Sequence, residues 1–197
     1  MIQHVVAIFH AQSLAVLTLA PKCHPPVSSA AMRHIIAILL QNEAGALTRV
    51  TGLISSRGYN IESLSVAPTD DPTVSRVTLV TIGSDPVIAQ INAQLLKLVD
   101  VVGVEDLTSG DHLARELMLI KLSIAPGHVE AVDALLHRVG GRVLSPNPSS
   151  YIVELTSTEI EIGEFIAKVA AFGEIVEVVR SGVLGISRAN PRLHIVK

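Results

Sequence analysis

Two short segments hold the side chains whose types and spacing could do chemistry: Asn42-Glu43-Ala44-Gly45-Ala46-Leu47 and Gly58-Tyr59-Asn60-Ile61-Glu62-Ser63. The first stands directly ahead of an amphipathic stretch. The opening amides of that helix, those of Gly45, Ala46 and Leu47, have no intrahelical partners and lie at the positive end of its dipole. Bare amides of that kind take a carboxylate. Asn42 offers a donor and an acceptor side by side, enough for the carboxylate and the ammonium of one small zwitterion. Gly45 lets a ligand come close to the main chain. Asn60, read as lying at the same end of the unit, supplies a second side-chain amide, and Ile61 supplies an apolar wall. The chemistry indicated is recognition of a free, aliphatic amino acid. A bland reading stands beside it, with Asn42 as a helix cap, Gly45 as relief of crowding and Asn60 as a turn asparagine.

The elements that must position these groups follow from periodicity. A buried strand over residues 35–40 leads into the loop, and a helix over 45–57 carries Leu47, Val50, Leu53 and Ile54 on one face, with Gly58 as its stop. Strands over 60–67 and 75–82 flank a polar turn at Pro68-Thr69-Asp70-Asp71-Pro72. Asp85-Pro86 opens a helix with Ile88, Ile91, Leu95 and Leu98 in a stripe. A strand over 99–107 closes the unit. The pattern then repeats. There is a strand over 117–124, then a helix over 127–139 with Val129, Val132, Leu136 and Val139 at the same spacing, ended by Gly140-Gly141. Strands over 142–145 and 151–156 follow. Thr158 and Glu161 have capping-box spacing ahead of Ile162, Phe165, Ile166 and Val169. The last strand, 174–179, is read as open to continuation through 183–186. Each half is a βαββαβ unit, so the fold class is α+β with two tandem ferredoxin-like units. Each sheet leaves one apolar face uncovered, and a symmetry mate is the expected cover, which makes a dimer.

Composition narrows the function. The net charge of −3 and the sparse aromatics, Phe9, Tyr59, Tyr151, Phe165 and Phe172, argue against a nucleic-acid partner. Cys23 is the only cysteine, which excludes an intrachain disulfide or thiolate zinc cluster and fits the cytoplasm. The apolar run over 5–20 is interrupted by His10, Gln12, Ser13 and Thr18 and does not read as a membrane span or a signal peptide. Residues 1–31 are expected to be a disordered leader or an upstream start ahead of Met32. No nucleophile–base pair or paired carboxylates stand near the presumed site. His112, His128 and His137 lack metal-ligand spacing and read as solvated, and no metal is expected. Gly140-Gly141 and Gly182/Gly185 lack a phosphate-loop pattern. Asp70-Asp71 reads as a hairpin turn.

A resemblance sharpens the reading. The runs Leu39-Leu40-Gln41-Asn42-Glu43-Ala44-Gly45-Ala46-Leu47-Thr48-Arg49-Val50, Arg57-Gly58-Tyr59-Asn60-Ile61-Glu62-Ser63-Leu64 and Val66-Ala67-Pro68-Thr69-Asp70-Asp71-Pro72 resemble the small regulatory subunit of acetohydroxyacid synthase (acetolactate synthase). The likeness continues through Lys97-Leu98-Val99-Asp100-Val101, Arg115-Glu116-Leu117-Met118-Leu119 and Arg180-Ser181-Gly182-Val183-Leu184-Gly185, covering residues 32–188. Gln41 and Ala44 stand where the family often has Glu and Ser. The resemblance implies an ACT domain over 32–109, a second ferredoxin-like regulatory domain over 113–188 and a tail over 189–197. It implies valine held at a homodimer interface, with Asn42, Gly45, Ala46 and Leu47 on one side, Asn60 and Ile61 from the partner subunit, and Val66 along the side-chain pocket. It further implies a non-catalytic subunit that binds and activates the large catalytic subunit and makes it sensitive to valine. Thiamine diphosphate, magnesium and FAD are expected in that catalytic subunit and no cofactor in this chain. Arg49 and Arg76 are candidate contacts to it. The alternatives are a free-standing ACT-type amino-acid sensor for another enzyme or a transporter, and a small ferredoxin-like enzyme acting alone.

Overall fold

A computed structural model describes residues 31–189 of the chain. The first unit runs β1 (Met32–Gln41), α1 (Ala46–Ser56), β2 (Ser63–Pro68), β3 (Val74–Gly83), α2 (Asp85–Leu95) and β4 (Val101–Asp106). The second runs β5 (His112–Ile124), α3 (Val129–Val139), β6 (Arg142–Asn147), β7 (Ser150–Ser157), α4 (Glu159–Val169) and β8 (Gly173–Arg180), followed by β9 (Leu184–Ser187). The antiparallel sheets have strand orders β2-β3-β1-β4 and β6-β7-β5-β8, with β9 paired to the start of β5. These are the two ferredoxin-like α+β units expected from the sequence.

Burial explains why β1 is an unbroken apolar run. Ile36, Ile38 and Leu40 face α1 and α2 and join Val50, Ile54, Ile88, Ile91 and Leu95 in one core. Ile35 and Ala37 point the other way and pack with Val80, Leu107 and Val183, with Ala114 against them. A strand buried on both faces needs no polar alternation. The second unit has its own core, in which Met118, Ile120 and Leu122 meet Val132, Leu136, Tyr151, Val153, Ile162 and Phe165.

The packing around Ile35 and Ala37 corrects one expectation. The open face of the first sheet is covered, in part, by β9 and the start of β5 of the same chain, where a symmetry mate was expected. Gly185 makes the approach possible, since a Cβ there would stand 2.6 Å from Leu107 Cδ1 and 3.2 Å from Ile35 Cγ2. The corresponding face of the second sheet leaves Leu117 and Val179 exposed.

Several boundaries shift for local reasons. Residues 60–62 precede β2 and are pinned to β3 through Glu62 N–H donating to Val80 O at 2.8 Å. The strand after α4 does not continue. Gly182, at φ +75°, turns the chain so that β9 leaves the second sheet and pairs with His112–Arg115. Pro146 lies within β6, opposite Tyr151. Residues 107–109 form a 3-10 turn in which Asp106 accepts from Thr108 N–H at 3.0 Å, and Thr108 Oγ1 accepts from Ile35 N–H at 2.8 Å. The capping box is present, with Thr158 Oγ1 accepting from Glu161 N–H at 3.3 Å and Glu161 accepting from Thr158 N–H at 3.1 Å. Among the described residues no helix is long and apolar enough to cross a membrane. The expected leader and tail fall, apart from Ala31 and Ala189, outside the described residues.

Candidate functional site

The loop between β1 and α1 is held from both sides. Gln41 N–H donates to Asp100 O at 2.8 Å, and Asn42 N–H donates to Thr73 O at 2.7 Å. Asn42 does not cap the helix: its Nδ2 donates to Pro72 O at 3.0 Å, clipping the loop to the β2–β3 turn, and its Oδ1 makes no hydrogen bond among the described residues. The cap position is Gly45, at φ +83°, with no side-chain bond to the helix. Of the three amides expected to be bare, that of Ala46 donates to Glu43 O at 3.2 Å. Those of Gly45 and Leu47 have no acceptor among the described residues. Of those three amides, two remain, together with the helix dipole, to face an anion.

Arg49, one turn into α1, belongs to this end of the unit and is ion-paired within the chain. Its Nη2 donates to Asp100 Oδ1 at 2.8 Å and its Nε bonds Asp100 Oδ2. The hydrogen bond to Asp100 raises the Arg49 pKa above its ordinary value, so the guanidinium is a fixed cation. A Cβ on Gly45 would stand 3.1 Å from Arg49 Nη1, which places that cation beside the two free amides. The signal available in the sequence was the i, i+4 spacing from Gly45 on the helix. Arg76 is also occupied, with Nη2 donating to Gly185 O at 3.0 Å across the two units.

Val66 pairs with Val77, whose side chain lies in the helix-side core, so Val66 also projects to that face and remains 43 % exposed. It lies toward the same end of the sheet as Asn42. Asn60 and Ile61 do not. Asn60 O accepts from Thr81 Oγ1 at 2.6 Å, and Thr81 pairs with His34 near the start of β1. Asn42 bonds Thr73, beyond the other end of β1. From residue 74 to residue 81 a strand rises about 23 Å. Within one chain the two asparagines therefore stand at opposite ends of the sheet, against the reading that they share one. Ile61 packs against the helix-side core of the first sheet.

The turn reading of Asp70-Asp71 agrees with the structure, in which Asp71 Oδ1 accepts from Thr73 N–H at 2.9 Å and from Thr73 Oγ1 at 2.7 Å. Those bonds hold the Asp71 carboxyl below its ordinary pKa. His128 and His112 are tethered rather than freely solvated, their Nδ1 atoms lying 3.1 Å from Phe172 O and 3.0 Å from Gly110 O. Among the described residues no three His, Cys, Asp or Glu side chains gather as a metal site.

Residues 36–103 match the family described as the AHAS small subunit-like ACT domain, and residues 115–189 match the small subunit of acetolactate synthase. The chain belongs to the acetolactate synthase small-subunit family. The isozyme 3 small subunit of acetolactate synthase from Escherichia coli K12 is 48 % identical over 159 residues, spanning 81 % of this chain and 98 % of that one. The acetolactate synthase small subunit of Haemophilus influenzae is 40 % identical over 162 residues, spanning 82 % and 99 %. The crystal structure of the Thermotoga maritima acetolactate synthase small subunit superposes with a TM-score of 0.72 at 28 % identity, over 81 % of this chain and 99 % of that one.

In this small-subunit fold a further cavity stands apart from the candidate amino-acid site. A cleft of roughly 320 Å³ opens between the two units, lined by Arg33, Glu62, Ser63, Glu116, Glu159 and Arg180. Glu116, 4 % exposed, is held by Arg180, whose Nε donates to Oε1 at 3.1 Å, and by Gly182 N–H at 3.1 Å. Sequence reasoning missed this cluster because its members are far apart in the chain and no periodicity links them.

Proposed function

We propose that this chain is the regulatory subunit of acetohydroxyacid synthase, a subunit that binds valine across a homodimer and transmits its presence to the large catalytic subunit. The observation that carries this reading is the division of the site. The carboxylate cradle, Asn42 with the amides of Gly45 and Leu47, stands at one end of the first sheet, and Asn60-Ile61 stands at the other. β2 is an edge strand, paired with β3 alone in its sheet. Two copies joined along β2 about a two-fold axis normal to the sheet run antiparallel. That pairing lays the Asn60-Ile61 end of one protomer beside the Asn42–Leu47 end of its partner. Half-sites that cannot meet within one chain meet twice in such a dimer, with Val66 beside each.

On this reading Asn42 Oδ1 takes the ammonium, the amides of Gly45 and Leu47 take the carboxylate, and Val66 with Ile61 of the other protomer encloses the branched side chain. Ala46 contributes shape rather than a donor. Because the ligand touches both protomers, its binding energy biases how they pair, and the catalytic subunit senses that pairing. The chemistry of acetolactate or acetohydroxybutyrate formation, with thiamine diphosphate, magnesium and FAD, is assigned to the catalytic subunit in the cytoplasm. The ACT and C-terminal regulatory domains are assigned to residues 32–109 and 113–188.

Hybrid dimers test this. Asn42→Ala and Asn60→Ala chains are each purified and titrated calorimetrically with valine, with leucine and lysine for comparison, and then mixed. Each variant alone loses binding. The mixed population regains valine sites at wild-type affinity, since a heterodimer of the two carries one undamaged site. Failure of the mixture to bind, with exchange of protomers verified by mass, defeats the shared-site reading. Capture of a thiamine-dependent synthase by the full-length chain tests the partner.

A further inference from the structure

We infer that Arg33 is a positioning residue that couples the Asn60–Glu62 segment to the C-terminal unit. This inference rests on the reading of Asn60-Ile61 as half of the effector site.

Arg33 lies at the start of β1, paired with Ile82 of β3, and so beside the end of the sheet where Asn60 is held. Its Nη2 stands 2.6 Å from Glu159 Oε2, the first residue of α4 in the second unit. Its Nε stands 3.4 Å from Glu62 Oε2, two residues beyond Asn60. One guanidinium thus faces a carboxylate from each unit. From Glu159 the line of charges continues to Arg180 Nη2 at 3.9 Å and then to buried Glu116. Glu116 accepts from Gly182 N–H at 3.1 Å, at the turn that sends β9 back over the first sheet. Ser65 Oγ of β2 donates to Ser181 O at 2.7 Å, closing the circuit.

One contact in this line is incomplete. Arg33 Nε is shut off from solvent and makes no hydrogen bond. A desolvated donor on a charged group is costly to leave unpaired. The Glu62 carboxylate that would satisfy it is about half an ångström too far for a charge-assisted bond. The cleft of roughly 320 Å³ around these residues leaves room for that movement. The 3.4 Å ion pair already ties α4 to residues 60–62 through Arg33, and a ligand that draws them toward Arg33 completes the bond and strengthens that tie. A ligand that draws them away releases it. By reciprocity, whatever alters Glu159 must alter effector affinity, although Glu159 touches no effector residue.

Two measurements test the coupling. Without ligand, hydrogen exchange at the Glu62 amide, which is bonded to Val80 O, is compared in the full-length wild type, Arg33→Ala, Arg33→Lys, Glu159→Gln and a Glu164→Gln control on the outer face of α4. Exchange quickens roughly fivefold in the first three variants and is unchanged in the control. Lysine fails to rescue because an ammonium cannot serve both carboxylates from one fixed fork. Unchanged exchange in Glu159→Gln overturns the inference with no reference to any effector. In calorimetric titration with valine, Glu159→Gln shifts the Kd by about three- to tenfold, and adding Glu62→Gln produces little further change, because both act through one guanidinium. Additive shifts, or none, in a protein that binds valine overturn it. A wild type that binds no valine defeats the effector reading and leaves the exchange experiment to decide the coupling.

Discussion

Replacing Gly45 by alanine separates the backbone's contribution to stability from its contribution to the ligand. Gly45 sits at φ +83°, ψ −9°, a left-handed conformation. An L-residue there costs about 1–2 kcal/mol. The added Cβ would come 3.1 Å from Arg49 Nη1, the end of a flexible side chain that gives way by a few tenths of an ångström, so strain is the main cost to folding. Gly140, which ends α3 at φ +72° with nothing within 4 Å of an added Cβ, is a control carrying the same backbone penalty far from the site. Both Gly45→Ala and Gly140→Ala should lower Tm by about 2–8 °C, taking 2–4 °C per kcal/mol for a chain of this size. Only Gly45→Ala places a methyl group over the free amides and displaces the neighbouring guanidinium. Losing one hydrogen bond to a carboxylate costs about 1.5–3 kcal/mol. Valine affinity should therefore fall about 10- to 100-fold in Gly45→Ala and stay within about twofold in Gly140→Ala. Calorimetric titration alongside thermal melts reads both quantities. Equal loss of Tm with valine affinity intact in Gly45→Ala would refute the assignment of these amides to the carboxylate.

Tyr151, buried and bonded through its hydroxyl to Asp133, has its pKa pushed up to about 12 by burial and then by that bond. Because the folded state holds the proton more tightly, this stabilisation is complete below pH 10 and is lost as pH rises towards 12. Urea melts of wild type and Tyr151→Phe across that window should converge at its upper end. Glu161 is held down to about 2 by the Ser157 hydroxyl first, then by the amide and hydroxyl of Thr158. Its contribution is present above the ordinary carboxylate range and lost as pH falls through about 2, and a carboxyl carbon NMR titration that gives an ordinary midpoint contradicts the capping geometry. Gly185→Ala forces a Cβ to within 2.6 Å of Leu107 Cδ1. Overpacking of that kind costs about 1–3 kcal/mol, read from urea midpoints, and wild-type stability would show that β9 does not press on the first sheet.

The elements, their order and the class of fold are all legible in the amino-acid sequence. The apolar spacing of Val50 and Ile54, and of Ile162, Phe165 and Val169, sets one buried face per helix. The Thr158–Glu161 box and the glycines at 58 and 140 set where helices begin and end, because capping depends on residues within a turn or two. The cradle at Gly45 is legible for the same local reason. Other features depend on residues distant along the chain and exist only once it has folded. Asn42 and Asn60 stand at opposite ends of the sheet because α1 carries the chain back along β1 before β2 begins. Arg49 is fixed by Asp100, Arg76 by the carbonyl of Gly185, and Arg33 stands between Glu62 and Glu159. The cover on the first sheet comes from β9 because Gly182 turns the chain there and Gly185 leaves it room. Hydrophobic periodicity states that a face must be buried, but it carries no information about which distant segment, or which second protomer, will bury it.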